Sequence, residues 1–433
     1  MQLQELHDVG VISSELRLHN EGWIFMNYGL LGEKLAHSYS PEIHAYFGDY
    51  EYGLFEVASN DLEDFFGSTI WSGINVTIPY KQAVIAFCDE LSDAARGIGS
   101  INTIIRRADG TLYGDNTDAY GFAYLIKDMV VKDKKILVLG SGGSCRTVRH
   151  VLLQQGASEV IVVSRVGEHN YGNLERHDDA EVIINTTPVG MYPDNGSSPL
   201  LLRHFSKIEV VVDLIYNPTK TALLLEAEQL GITAISGLAM LVAQAAKASE
   251  LFTGQPVATE LIDKVIAQIH CKTQNLILIG MPGCGKTTIA TELAAISGRK
   301  IIDTDHEIEK LVGKSIVEIF ADDGEEQFRE YEAMVIKQFG AEAGLIIATG
   351  GGCIKTSANY DCLRQNGLVF WLERPIAALP RDGRPLSVGD LEIIYNERKP
   401  LYHYFADKVV VNDKMVETVA QQIWREFYEY FDC

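Results

Sequence analysis

Asn275-Leu-Ile-Leu-Ile279-Gly280-Met-Pro-Gly-Cys-Gly-Lys286-Thr287 is the stretch that decides the fold of the C-terminal part of the chain. After Asn275, Leu276–Ile279 form an unbroken apolar run, the pattern of a strand buried on both faces of a parallel sheet. The next eight satisfy G-x-x-x-x-G-K-[ST], and Thr288–Ser297 continues with helical patterning. In that strand–turn–helix context, backbone N–H groups of the turn cradle phosphates. Lys286 then reaches the β- and γ-phosphates, and Thr287 is placed to ligate Mg²⁺. Gly280, Gly283, Cys284, Gly285, Lys286, Thr287 and Thr288 are the expected nucleotide-binding residues. The competing reading is a chance glycine-rich turn, which the flanking strand and helix argue against. The motif specifies ATP or GTP and leaves the acceptor open.

The acceptor must be read from the residues beyond this loop. Asp303-Thr-Asp305 ends the strand Lys300-Ile-Ile302, so both carboxylates lie at a strand's C-terminal end, where such sheets bind ligands. One suits Mg²⁺ and the other an acceptor hydroxyl, although a helix cap is as ordinary a role for such a pair. Further on, Phe320-Ala-Asp-Asp-Gly324-Glu-Glu-Gln-Phe328-Arg329-Glu-Tyr-Glu332 puts Arg329 on a helix. Leu345-Ile-Ile-Ala-Thr349 runs into Gly350-Gly351-Gly352, Arg384-Pro-Leu386 lies in a polar loop, and Arg398-Lys-Pro-Leu401-Tyr402 lies on a later helix. Taken singly, each arginine reads as a solvated surface residue. Three of them suit an anionic substrate and a developing phosphoryl charge, and one in a loop suits a lid.

Those blocks, in that order, resemble shikimate kinase over residues 275–430. The resemblance implies a nucleoside-monophosphate-kinase-like parallel sheet with a lid. It implies that Asp305, Arg329, Gly350, Gly351, Gly352 and Arg398 bind shikimate. It also implies that Arg384 is the lid arginine contacting nucleotide and substrate, that Asp303 and Thr287 place Mg²⁺, and that Lys286, Asp305 and Arg384 act in phosphoryl transfer.

Upstream, Ile136-Leu-Val-Leu139 ends in Gly140-Ser141-Gly142-Gly143 and opens a helix, a short dinucleotide-type turn. Strand candidates occur next at 159–163, 181–184 and 209–212, so a parallel sheet is expected. Ser164-Arg165 ends the second strand, where an arginine suits a 2′-phosphate and an acid would suit NAD. A surface arginine is the bland alternative. Before this unit come Ala36-His-Ser38-Tyr-Ser40-Pro-Glu-Ile-His44, Gly73-Ile-Asn75-Val-Thr77-Ile-Pro-Tyr-Lys81, Gly99-Ser-Ile-Asn102-Thr103 and Gly114-Asp-Asn-Thr-Asp118. They cluster hydroxyls, amides, one lysine and one aspartate, a set that fits a polyhydroxylated acid. A plain surface lysine and a helix-capping Asp118 would also be ordinary.

With Asn185-Thr-Thr-Pro-Val-Gly190, Asp213-Leu-Ile-Tyr216-Asn-Pro218 and Gly237-Leu-Ala-Met240-Leu-Val-Ala-Gln244, these blocks are similar to shikimate dehydrogenase over residues 28–268. The resemblance implies an α/β substrate domain and a Rossmann-like NADP domain. It implies a catalytic pair, Lys81 and Asp118, with Ser38 and Ser40 at the substrate carboxylate. Thr77, Asn102, Asp118 and Gln244 would bind ring hydroxyls, and Tyr216 would line the pocket. Gly140, Ser141, Gly142, Gly143, Ser164, Arg165, Gly237 and Met240 would hold NADP(H). Ser164-Arg165-Val166 departs from the usual Asn-Arg-Thr, and Gly167–Asp179 is short for a crossover helix.

The expected organisation is an extension at 1–22, a substrate domain at 23–122 and 237–270, and an NADP domain at 123–236. A linker at 271–274 and a kinase domain at 275–433 complete it. A chain of 433 residues with 47% hydrophobic and 22% charged residues is long enough for several such cores. Its net charge of −22 argues against nucleic acid and anionic membrane as partners. Seven scattered cysteines read as free thiols of a reducing cytoplasm. Oligomeric state is not legible. The expected function is NADPH-dependent reduction of 3-dehydroshikimate, then Mg-ATP-dependent phosphorylation of shikimate. The alternatives are a dehydrogenase half using quinate with NAD, and a nucleotide-sensing regulator with one dead site.

Overall fold

A computed structural model describes residues 28–35, 38–68, 70–379 and 391–431. Two expectations from the sequence, the 1–22 extension and lid residue Arg384, fall outside them. Among the described residues there are three sheets. The first is β1 (Tyr28–Gly32), β2 (Tyr52–Glu56), β3 (Gly73–Val76), β4 (Glu90–Leu91), β5 (Thr103–Arg106) and β6 (Leu112–Asp115), ordered β2-β1-β3-β5-β6-β4. It is mixed: β1 is parallel to β2 and β3, whereas β5 is antiparallel to β3 and β6. Phe55, Phe65, Trp71, Ile74 and Ile104 are among its buried core.

The second sheet is β7 (Lys135–Leu139), β8 (Glu159–Val163), β9 (Val182–Asn185), β10 (Val210–Asp213) and β11 (Thr233–Ser236), ordered β11-β10-β9-β7-β8. From β7 the chain steps to β8 on one side, then returns to β9 on the other. Such a switch point leaves a crevice at the carboxyl end of β7, where Gly140 turns into the helix Gly143–Gln154. Between β8 and β9 only a 3₁₀ turn, Leu174–His177, replaces the usual helix, as the short 167–179 stretch suggests.

The third sheet is β12 (Asn275–Ile279), β13 (Ile301–Asp303), β14 (Ile346–Ala348), β15 (Gly367–Glu373) and β16 (Lys408–Val411), ordered β13-β14-β12-β15-β16. Its neighbouring strands pair in parallel. Central β12 is buried along its whole length, as its apolar run requires. Its neighbours lie on both sides, so the switch point falls at Ile279 and the glycine turn.

The four residues 271–274, expected to be a linker, are a correction. The helix Thr259–Thr273 runs through three of them, and Cys271 and Gln274 are buried. Cys271 supplies apolar surface to the third core, and the Gln274 amide finds a hydrogen-bond partner, so neither has reason to leave the fold. By compactness the chain forms two units. One gathers Leu202–Leu214 and Ile235–Ile266 with the chain up to Thr187; the other gathers Pro188–Leu201, Ile215–Ala234 and the chain from Ala267.

Candidate active sites

In the first unit, Lys81 follows β3 and Asp118 stands in the first turn of the helix Thr117–Leu125. That helix is capped by the Asn116 side chain, so Asp118 is not spent on capping. Lys81 Nζ lies 2.6 Å from Asp118 Oδ2, and Asn102 Nδ2 donates to Asp118 Oδ1 at 2.9 Å. Asn102 also approaches Gln244 Oε1 at 3.4 Å. Four residues singled out from sequence, spread over 164 positions from Lys81 to Gln244, therefore meet at one point.

What holds them is a buried polar chain. Asn102 Oδ1 accepts from the Thr117 N–H at 2.7 Å and from Thr103 Oγ1 at 3.2 Å. Thr103 Oγ1 accepts from Asn75 Nδ2 at 3.0 Å, and Asn75 Oδ1 accepts from the Tyr52 hydroxyl at 2.7 Å. Asn75, Asn102 and Thr103 are all buried, so each lost partner would leave a costly orphan. Burial pushes the Tyr52 hydroxyl well above its ordinary range, with Ser40 opposing the shift. Ser38 and Ser40 open the helix Ser40–His44, the Ser40 N–H donating to Ser38 Oγ at 3.2 Å. Thr77 follows β3, its N–H donating to Leu31 O at 2.9 Å.

The glycine turn after β7 is solvent-facing from Ser141 to Gly143, leaving the first N–H groups of its helix free to meet an anion. A side chain at Gly140, where φ is +101°, would press on Thr186 and Thr187. Ser164 Oγ donates to the Val166 carbonyl, and Arg165 is exposed. Gly237 abuts the Leu214 backbone too closely for any Cβ, and Met240 lies a turn later on the helix Leu238–Thr253. Tyr216 stands half-buried in the loop after β10, in the second unit.

The second unit holds a cavity of about 490 Å³ lined by Lys286, Asp303, Asp305, Arg329, Gly352 and Arg398, among others. Lys286 Nζ donates to Gly280 O at 2.9 Å and Met281 O at 3.2 Å. Gly285 has φ +101°, which lets the loop pass into the helix Lys286–Ser297. Thr287 Oγ1 donates to Asp303 Oδ2 at 2.7 Å. Asp303 Oδ1 accepts from the Asp305 N–H at 3.1 Å, so Asp303 is both a helix cap and a cavity carboxylate. Burial, reinforced by Asp303, holds the Asp305 carboxyl above its usual range.

Arg329, on the helix Gly324–Ala341, donates to Glu332 Oε2 at 2.7 Å and Glu325 Oε1 at 3.1 Å. Arg398 Nη1 and the Tyr402 hydroxyl both donate to Gly351 O, at 3.0 and 2.6 Å. The three glycines serve by lacking side chains. A Cβ at Gly350 would sit 2.7 Å from Asp305 Oδ1 and 2.8 Å from Glu332 Oε1, and one at Gly352 would collide with the Arg329 guanidinium. Gly352→Ala is therefore expected to raise the KM for the acceptor about tenfold or more, the effect of losing a charge-assisted contact. The KM for ATP should change less than twofold, and steady-state kinetics varying each substrate checks it.

Glu332 was not singled out from sequence. It is fully buried, its Oε1 has no hydrogen-bond partner, and burial raises its carboxyl despite Arg329. Arg374, just past β15, also lines the cavity and was missed. A cation at a strand's carboxyl end beside a P-loop was the available signal.

Both constellations have counterparts among known proteins. Family models for the shikimate dehydrogenase substrate-binding domain and the shikimate 5′-dehydrogenase C-terminal domain match residues 30–104 and 237–266, and a shikimate kinase model matches 282–428. The shikimate dehydrogenase (NADP(+)) of Clostridium perfringens strain 13 is 36% identical over 268 residues, covering 57% of this chain and 98% of that protein. The chain belongs to the shikimate dehydrogenase family and carries a shikimate kinase domain behind it. Among solved structures, a chorismate mutase/shikimate 5-dehydrogenase fusion protein from Clostridium acetobutylicum is 37% identical, with a TM-score of 0.54 over 56% of this chain and 96% of that one. The shikimate 5-dehydrogenase of Thermus thermophilus, in complex with NADP(H) and shikimate, is 31% identical with a TM-score of 0.51, over 56% and 98%. The dehydrogenase half thus corresponds to whole enzymes, with the kinase half added after it. Among the described residues, six cysteines are free and no helix is long and apolar enough to cross a membrane.

Proposed function

We propose that this chain reduces 3-dehydroshikimate to shikimate at its first site and phosphorylates the 3-hydroxyl of that product at its second. The observation that carries this is one chain holding both a lysine–carboxylate–amide group and a P-loop cavity with three arginines. Residues 23–122 and 237–270 form the substrate domain, 123–236 the NADP domain and 275–433 the kinase domain. The enzyme works in the cytoplasm on small molecules, consistent with free thiols and a net charge of −22.

At the first site, Ser38 and Ser40 take the substrate carboxylate, while Thr77, Asn102 and Gln244 take ring hydroxyls. Tyr216 lines the pocket. The turn Gly140–Gly143 suits a pyrophosphate, because it opens a helix whose first residues face solvent. Ser164 and Arg165 face the 2′-phosphate, and Gly237 and Met240 the nicotinamide. Bound NADPH supplies the hydride. Lys81 Nζ, fixed by Asp118, stabilises the alkoxide growing on the substrate oxygen and gives it a proton. Removing the charge in Arg165→Ala should raise the KM for NADPH about tenfold or more and leave that for NADH nearly unchanged. Equal KM values for NADPH before and after would remove Arg165 from the site.

At the second site, the N–H groups of the loop and Lys286 hold the ATP phosphates. Thr287 and Asp303 are hard oxygen donors, the kind Mg²⁺ takes, and the ion when bound neutralises phosphate charge. Arg329, Arg398 and Gly350–Gly352 hold the acceptor carboxylate and ring. Asp305 accepts the 3-hydroxyl proton, for which its raised carboxyl is suited. Mass spectrometry of products from 3-dehydroshikimate, NADPH, Mg²⁺ and ATP tests the whole. Shikimate 3-phosphate is expected. Shikimate alone would overturn the kinase assignment, and unchanged substrate the dehydrogenase one.

A further inference from the structure

The strand β8 ends at Val163, and the chain makes no further helical turn until Leu174, so no crossover helix follows to fix the turn Ser164-Arg165. Hydrogen bonds take over that work. The Ser164 N–H donates to His169 O at 3.2 Å, and Ser164 pairs with Asn170 as an isolated bridge. Asn170 Nδ2 donates to Gly167 O at 2.9 Å and Asn173 Nδ2 to Glu168 O at 2.8 Å, which folds residues 164–173 back on themselves. These bonds run within the loop. A pair of imidazoles ties it to the sheet. His169 Nδ1 lies 3.0 Å from His177 Nε2, with the rings 4.9 Å apart and inclined at 63°. His177 is 5% exposed, and its Nδ1 is buried without a hydrogen-bond partner. The residues just after it are anchored twice. Asp178 O accepts from the Ser206 N–H at 2.9 Å, and Asp179 pairs with Lys135, at the start of β7, at 2.6 Å. All of these groups lie in the first unit.

We infer that His169 and His177 are positioning residues for cofactor choice: their hydrogen bond stands in for the missing helix and fixes the turn that presents Arg165 to the 2′-phosphate of NADPH. The inference rests on the proposed role of Ser164 and Arg165. Its physical basis is that Arg165 is exposed, and an exposed guanidinium meets one phosphate selectively only if the backbone beneath it is fixed. The route is short. His177 holds the His169 ring, the His169 carbonyl holds the Ser164 N–H, and Arg165 is the next residue. Two imidazoles make such a bond only while one ring can accept. Burial holds the His177 ring below its usual range, with Lys135 and His169 adding to the effect and Glu159 and Asp179 opposing it. The pair therefore keeps an acceptor at neutral pH.

The test measures 3-dehydroshikimate reduction with NADPH and with NADH in the full-length enzyme and its variants. His177→Phe keeps a buried ring and removes both nitrogens. It should raise the KM for NADPH about fivefold, the scale of one lost hydrogen bond, with kcat and the KM for NADH within twofold. His177→Gln, which can return a hydrogen-bonding group near the Nε2 position, should keep the KM for NADPH within twofold of wild type. If the pair acts through Arg165, Arg165→Ala/His177→Phe should bind NADPH no more weakly than Arg165→Ala alone. A merely structural role would raise both KM values together or make the two losses add. Either result, or an unchanged KM for NADPH in His177→Phe, overturns the inference. If His177→Phe does not fold, His169→Leu breaks the same bond from its half-buried side and is read by the same criteria. Arg165→Ala keeps the two failures apart. If it leaves the KM for NADPH unchanged, the reading of Arg165 falls and the positioning role with it; if it raises that KM while His177→Phe does not, the positioning role alone falls.

Discussion

Lys81→Met is expected to lower kcat for NADP⁺-linked shikimate oxidation by roughly a thousandfold, the middle of the range for losing a positioned acid–base group. The reason is local. Lys81 Nζ is the cation held against Asp118 Oδ2 at 2.6 Å, and the methionine stem replaces its length without its charge or protons. Asp118 would keep Asn102 as donor at 2.9 Å, so the helix Thr117–Leu125 should stay in place. The Lys81 carbonyl accepts from the Ile101 N–H, a main-chain bond that the substitution leaves intact. The KM for shikimate should therefore move much less than kcat, the signature of a group acting in the transition state. The kinase activity of the same preparation serves as internal control. A loss below tenfold, with phosphorylation unchanged, would remove Lys81 from the proposed role.

Much of the fold was legible because the strands announce themselves. β8 and β12 occupy the expected residues, β7 begins one residue earlier, and β9 and β10 each lie one residue later. Each is a short β-branched or leucine-rich run, and all but the edge strand β8 are almost wholly buried, which leaves little choice of structure. The 271–274 stretch misled because polarity was read as exposure. Lys272 and Thr273 are polar, yet the helix continues through them, and Gln274 is buried with its amide satisfied. Sequence shows that a residue can hydrogen-bond, but not that a partner waits 55 positions away at Thr219.

The sites divide in the same manner. Lys81, Asn102, Asp118 and Gln244 were found because four blocks kept an order, and the structure brings those four together. Glu332 was passed over because a glutamate in Glu325-Glu-Gln-Phe-Arg-Glu-Tyr-Glu332 looks like one more solvated acid. It is buried, lying beside the bare Gly350 backbone and against Arg329. At Asp303 the helix cap uses one carboxylate oxygen, and the other meets Thr287.

Lys286→Met should lower kcat for shikimate phosphorylation on the order of a thousandfold, about 4 kcal/mol of transition-state stabilisation. Lys286 Nζ donates to the Gly280 and Met281 carbonyls at 2.9 and 3.2 Å. The proposed role of the same ammonium group is to meet the charge that grows on the phosphates during transfer. Methionine fits the buried site without a charge, and Gly285 still supplies the left-handed turn into the helix. ATP binding should weaken less than kcat falls, because the loop N–H groups remain. Shikimate oxidation, which does not use this loop, should stay within twofold of wild type. A kinase loss below tenfold would mean that Lys286 does not carry transition-state charge, whereas equal losses in both reactions would point to a damaged fold. Thr287→Ser, which keeps the hydroxyl beside Asp303, separates the two because it should retain most of both activities.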